Sequence, residues 1–419
     1  MKNYPHKRGR YPNQAHVRVP VGTFELEHAR DGFFSEEASH LYVTEPPSNW
    51  KRIEGDLRPR AVDCRKMVTA DSENPDALPT QLLSAAVWCG KKTLSFFLSK
   101  RQEAMPYIYK TVDGDEIYFV HDGYGRIETE YGVLEYERGD YIVIPRGCLY
   151  RVLPDDDRTF MIICESISPY QIPDRGLLGP HAIFDKGVLR LPEFEAPREK
   201  WDLDEYEVRV KRLGRLTRMW YDFNPLASVA GWKGTLTPYI LNVRDIRPIS
   251  MLNNHVVPTA NTTFQSEDVL VTTFAPRALG NHETLRLPFY HRNVDYDEFI
   301  FYHEGNFFSK AGIEPGMFTL HPAGIDHGPH PKAFERDQAN MEKLLSEGQE
   351  VAIGKSTAIN FDTTHMLFGS PETAEAEWDG YATSWYDQAQ EMAAEGKPFD
   401  PMNYREIVIN PDLELADLS

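Results

Sequence analysis

Residues 116–150, EIYFVHDGYGRIETEYGVLEYERGDYIVIPRGCLY, and residues 298–327, EFIFYHEGNFFSKAGIEPGMFTLHPAGIDH, carry one pattern twice. Each starts on a glutamate (Glu116, Glu298) and has a glycine seven positions on (Gly123, Gly305). Each then closes with G-x5-P-x-G-x2 and a ring residue: Gly139, Pro145, Gly147, Tyr150 in the first, Gly316, Pro322, Gly324, His327 in the second. Fixed spacings shared by two blocks of one chain point to an internal duplication. The runs around them (LSFFL, YIY, EIYFV, YIVIP, FMIIC) are rich in β-branched and aromatic residues and punctuated by Gly, Asp and Pro. That texture predicts short strands in a sandwich or barrel, with the glycines as turns and P-x-G as a rigid corner aiming the residue after it inward.

Outward from the repeat, the first 60 residues read as an irregular, extended arm, and the first β block begins near Leu82. A strongly charged connector follows at 193–218, partly strand, then a second β block from about Pro238 to Ile325. AFERDQANMEKLLSE and the acidic stretch from Pro371 onward read as helical. The expected division is residues 1–255, a degenerate barrel with arm and connector, and 256–419, a metal-binding barrel with a helical tail. A chain of 419 residues fits two or three domains at about 150 residues each. The net charge of −19 argues against a phosphate-binding surface, so no nucleic-acid partner is expected. No run of about 18 apolar residues occurs, so no membrane span is expected. The basic start lacks an apolar segment, which predicts no secretory signal. Four scattered cysteines (64, 89, 148, 164) with no C-x-x-C pair suit a reducing cytoplasm rather than a disulfide framework.

The doubled pattern resembles the two motifs of the cupin superfamily. The fold expected from it is mainly β, two cupin-type (jelly-roll) β-barrels with an N-terminal arm and a helical C-terminal tail. Cupin ligands sit at H-x-H-x(3,4)-E and at the final His. In the second block His291 and Glu298 keep two of these places, Asn293 stands at the second His, and His327 closes the set. Two imidazoles and one carboxylate on one face make a facial triad that leaves metal positions open. The odd spacing of His291 and Glu298 demands a turn or bulge between them, which Asn293–Asp295 would supply. In the first block Tyr109 and Thr111 stand at the His positions and Tyr150 at the last, so this half should hold no iron and Glu116 should be a polar core residue held by Tyr109 or Tyr150. His321 reads either as an orienter of a ligand or as an acid/base facing substrate. His303 and His330 lie nearby, equally readable as surface or site.

Four stretches, DGFFSEEASHLYVTEPPSNW (31–50), GWKGTLTPY (231–239), LPFYHRN (287–293) and LHPAGIDHGPHP (320–331), resemble the homogentisate 1,2-dioxygenase family, with weaker similarity between them. The resemblance implies Fe(II) held by His291, Glu298 and His327, extradiol-type cleavage of a hydroquinone ring with O2, His321 as a catalytic histidine, and homo-oligomers (a trimer or hexamer). Two departures bear on the substrate. A family histidine is absent from Phe264-Gln265-Ser266-Glu267-Asp268, and Phe307 stands near a family tyrosine. His255 or Tyr302 would then have to act in their place, and Arg292 is counted with them as facing the small aromatic substrate. Two alternatives stay open: a different metal-dependent cupin enzyme (isomerase or decarboxylase), and a non-catalytic ligand-binding protein with two cupin barrels.

Overall fold

The computed structural model describes residues 6–399, apart from 31–36, 86, 89–90, 93, 251, 253–255, 282–283, 286–288, 308–309 and 350. The duplication is visible first in two matched strands, Asp115–Asp122 (DEIYFVHD) and Asp297–Glu304 (DEFIFYHE). Strand residues alternate between faces. Here both faces are buried, so each strand is enclosed almost throughout, polar residues included. Glu116 and Tyr118, like Glu298, Ile300 and Tyr302, line the cavity of their own half. Ile117 and Phe119, like Phe299 and Phe301, belong to the core between the halves.

That core brings repeat equivalents together. His121 and His303, 182 positions apart, meet at 3.0 Å between their Nδ1 atoms. The Phe119 and Phe301 rings pack edge-on with centroids 6.2 Å apart. Contacts between equivalent residues are what an approximate two-fold axis produces. Phe96 stacks on Phe299 at 4.6 Å, and each such ring taken out of water contributes about 1.5–3 kcal/mol. Gly123 and Gly305 both adopt left-handed backbone (φ +88° and +92°), and a Cβ on either would strike the neighbouring strand's backbone within 3 Å. The repeat needs glycine there.

Each half is a pair of facing sheets, cupin-like rather than closed. In the first, a seven-stranded sheet running from Tyr239–Asn242 across Asp115–Asp122 to Thr80–Ala85 and Leu367–Gly369 faces a six-stranded one. The latter contains Ile108–Thr111, Tyr150–Pro154 and a hairpin, Tyr206–Arg212 with Arg215–Tyr221, drawn from the charged connector. In the second, a six-stranded sheet holding Asp297–Glu304 and Met317–His321 faces a three-stranded one made of Ala38–Val43, Phe24–Ala29 and Tyr290–Asn293. Two edge strands are exchanged. Arg60–Asp63 completes the second half's large sheet beside Met317–His321, and Leu367–Gly369 completes the first half's beside Thr80–Ala85.

The N-terminal arm is therefore structured, against the sequence expectation. Phe24–Ala29 and Ala38–Val43 form a hairpin whose first strand runs parallel to Tyr290–Asn293. The sequence FELEHA hides this because its charged face, Glu25 and Glu27, is as buried as its apolar face, Phe24 and Leu26. The expected helices are present at Pro331–Ser346, Pro371–Glu375 and Ser384–Ala394. No described helix is long and apolar enough to cross a membrane.

Candidate metal centre

The break required between His291 and Glu298 is real: Tyr290–Asn293 ends, the chain bends at Val294 and Asp295, and Asp297–Glu304 begins in the facing sheet. His291 and His327 exchange backbone hydrogen bonds (N–O 2.8 and 2.9 Å), which sets their rings side by side with centroids 4.1 Å apart. Glu298 reaches up from the large sheet, its carboxylate 3.0 Å from His327 Nε2 and 3.9 Å from His291 Nε2. Each imidazole donates its Nδ1–H to a backbone carbonyl two residues back, His291 to Phe289 and His327 to Ile325, both at 3.0 Å. That arrangement turns both Nε2 atoms toward the carboxylate, where a metal would need them. His327 Nε2 is buried and has no partner in hydrogen-bonding geometry among the described residues. An orphaned lone pair beside a carboxylate and a second imidazole fits a divalent cation, and the three donor atoms lie within 4.8 Å of one another.

The electrostatics agree. Burial alone would raise the Glu298 carboxyl, but His327 and the hydrogen bonds from His291 and His321 hold it well below the usual range. Burial pushes His327 down to about 4, helped by His291, whereas contact with Glu298 overcomes burial and lifts His291 to about 9. One negative charge is thus shared by imidazoles of unequal basicity, an arrangement in which a cation replaces a proton.

His321 lies opposite Glu298 in the strand register, with Nδ1 2.7 Å from Glu298 Oε2 and Nε2 3.1 Å from the Tyr381 hydroxyl. Both ring nitrogens are engaged, and the ring also lines the cavity. It stacks on His327 at 4.3 Å. Tyr302 and Phe307 do line the cavity, in edge-to-face contact at 4.6 Å, with the Tyr302 hydroxyl 3.0 Å from Thr319 Oγ1. Arg292 does not line it. It lies one residue out of phase with His291 on the strand and pairs with Asp326 at 2.6 Å. His255 lies outside the described residues. His303 and His330 are buried but contribute nothing to the cavity: His303 faces His121, and His330 Nε2 sits 2.7 Å from Ser384 Oγ. The Phe264–Asp268 piece also supplies no lining residue; Phe264 packs in the core between the halves.

Two lining residues escaped the sequence reading. Lys310 is fully buried, donates to the Gly328 carbonyl at 2.9 Å, and is pushed down to about 7 by burial. Arg277, lowered to about 10 by burial, stays a cation and lies over the Phe274 ring at 5.1 Å. Neither has a spacing signal, because Lys310 comes from a loop and Arg277 from the two-residue strand Arg277–Ala278. The cavity, about 120 Å³, is otherwise walled by Phe274, Phe289, Ile300, Tyr302 and Phe307.

The first half's equivalent place carries no imidazole. Tyr150 pairs with Tyr109 in the register, as His327 does with His291, and the Tyr150 hydroxyl donates to Glu116 at 2.7 Å. Burial, reinforced by Glu165, lifts Glu116 to about 8, so it is largely a neutral acid at pH 7. The cavity around it is the larger one, about 720 Å³. Volume and metal-binding chemistry are in different halves.

Comparisons with known proteins converge on one family. A family profile described as the N-terminal part of homogentisate 1,2-dioxygenase matches residues 72–243, and that for the C-terminal part matches 250–392. A Saccharolobus solfataricus protein, provisionally named a dioxygenase, is 34% identical over 285 residues, 66% of this chain and 70% of that protein. Among solved structures, the Ylba protein of E. coli is 8% identical with a TM-score of 0.32, over 75% of this chain and 93% of that one. A cupin 2 conserved barrel domain protein from Leptotrichia buccalis is 11% identical with a TM-score of 0.30, over 71% and 98%.

Proposed function

The chain belongs to the homogentisate 1,2-dioxygenase family, and from that premise we propose that it is a non-haem Fe(II) dioxygenase that cleaves homogentisate or a related dihydroxy-aromatic acid with O2. The observation that carries the reading is the His291–Glu298–His327 triad opening onto an aromatic-walled cavity that also holds two basic side chains. Three protein donors on one face suit Fe(II) and leave room for two exogenous ligands. When bound, the ion supplies Lewis acidity and one-electron chemistry toward oxygen.

The chain's own residues supply the rest. Phe289, Phe307 and Tyr302 sandwich a flat ring and exclude water. Arg277 offers a buried cation for the substrate's carboxylate, a charge-assisted contact stronger than a neutral one. Lys310, with its pKa near the working pH, accepts the phenolic proton, as a base tuned by burial does. His321, braced between Glu298 and Tyr381, fixes the carboxylate's orientation. Phe307 offers the substrate no hydrogen bond, which favours a ring without a polar group at that edge.

The test is oxygen uptake by the Fe(II)-loaded protein across hydroquinones, catechols and gentisate-like acids. Uptake with a hydroquinone acid, abolished by Glu298→Ala, is expected; no uptake with any of them removes the reading. Assembly into trimers or hexamers and residence in the cytoplasm belong to the same proposal, and light scattering of the purified protein tests the first.

A further inference from the structure

We propose that the N-terminal hairpin carries a second metal site, in which His16, Glu25 and His40 bind a divalent ion of the zinc type that fastens the segment at His16 to both strands of the hairpin. Their donor atoms lie within 4.8 Å of one another, outside the triad. His40 Nδ1 is 2.8 Å and His16 Nδ1 3.5 Å from the same oxygen, Glu25 Oε1. Donors about 2.0–2.1 Å from a tetrahedral zinc ion stand roughly 3.3 Å apart, so a small contraction of one contact and expansion of the other brings both to that spacing and leaves the fourth position to water. His16 and the Glu25 carboxylate are essentially inaccessible to solvent, while His40 is about one-fifth exposed, leaving an entry side.

Three further features are those of a metal site. The His16 Nε2 lies 3.3 Å from Glu27 Oε2, so the carboxylate takes the Nε2–H and leaves the Nδ1 lone pair toward Glu25, the carboxylate–histidine–metal arrangement. His16 sits in left-handed backbone (φ +62°), a conformation unfavourable for a non-glycine residue, which here brings its ring to Glu25. Its backbone N–H also donates to the Glu25 carboxylate, at 3.1 Å.

The first half provides an internal comparison. There the hairpin Tyr206–Arg212/Arg215–Tyr221 lies on Ile108–Thr111 as Phe24–Ala29/Ala38–Val43 lies on Tyr290–Asn293. Register pairs Arg209 with Tyr109 as it pairs Glu27 with His291, and Arg218 with Arg209 as it pairs His40 with Glu27. Glu207 therefore corresponds to Glu25, and it is held by two guanidinium groups, Arg209 at 2.8 Å and Arg218 at 3.3 Å. In the second half, the positions of both arginines are taken by Glu27 and His40, a carboxylate and an imidazole. Where the first half uses covalently attached cations, the second presents metal donors around the same carboxylate. Phe289, whose ring is 4.3 Å from His16 and 5.4 Å from His291, packs between this cluster and the candidate iron centre.

The experiment is metal analysis of the full chain, stripped with chelator, reloaded anaerobically with Zn(II) or with Fe(II), and desalted. Wild type should retain about two equivalents; His40→Gln and His16→Ala should each retain about one, as should Glu298→Ala, which empties only the other centre. A single wild-type equivalent that Glu298→Ala removes, or a second equivalent that survives both histidine changes, overturns the proposal. If His16→Ala fails to fold, His40→Gln and the wild-type count decide alone. Oxygen uptake is read separately, so a missing second ion and a missing dioxygenase activity are distinguishable.

Discussion

The two halves hold the same glutamate in the same strand and give it different protonation states. Glu116 lies beneath a tyrosine hydroxyl and near Glu165, and burial keeps it protonated up to about pH 8. Glu298 is as deeply buried, but three imidazoles surround it and it stays ionised. Backbone position therefore does not decide whether a buried carboxylate is a ligand or a neutral core acid. The residues at two facing positions do, Tyr109 and Tyr150 in one half against His291 and His327 in the other.

The largest effect should come from removing each glutamate in turn. Glu298→Ala should lose the triad's metal and all oxygen uptake, whereas Glu116→Ala should leave both intact; metal analysis and an oxygen electrode check this. Equal losses would mean that the halves are not functionally distinct. Next, Lys310→Met should lower turnover by roughly 10²-fold and remove a limb of the pH–rate profile that rises through about pH 7, since the base acts only when deprotonated. A smaller effect, about tenfold on metal affinity, is expected for Tyr381→Phe, which frees the outer nitrogen of His321 without touching a ligand.

The smallest effects concern stability, and they have opposite signs on the pH axis. Between about pH 4.5 and 8 the folded state keeps the Glu116 proton that the unfolded chain releases, so stability falls as pH rises. Glu116→Gln should abolish that slope and stabilise the protein at pH 8 by up to a few kcal/mol. His121 and His303 behave conversely. Burial depresses them to about 4 and about 2, so the unfolded chain binds protons that the folded one refuses below pH 6.5. Their contribution is complete above pH 6.5 and is lost on acidification toward pH 4. Denaturant melts of His303→Phe at pH 7 and pH 5 should show a shallower acid loss than wild type.

The duplication was legible because turns and corners need particular residues: the glycines and P-x-G at fixed spacing marked both blocks, and the odd His291–Glu298 interval announced the break between two sheets. The N-terminal hairpin was not, since Glu25 and Glu27 imitate a solvent-facing edge while being enclosed by the second half. Lys310, Arg277 and Tyr381 were equally invisible. They reach the centre from a loop, a two-residue strand and the C-terminal segment, and no local periodicity encodes which distant strand such a piece will cover. Arg292 points away from the cavity for a simpler reason: adjacency to a ligand in a strand puts a side chain on the opposite face.

The exchanged edge strands make the molecule a clasp. The Thr373 hydroxyl hydrogen-bonds the Leu82 carbonyl across 291 positions of chain, and Arg60 reaches Glu377 across 317. Neither repeat can finish its sheets from its own residues, so the contacts that complete them join segments far apart in sequence. Such topology predicts slow, high-contact-order folding and halves that fail when expressed apart. Duplication supplied two copies of one sandwich; the crossed strands have since removed the freedom of either copy to leave.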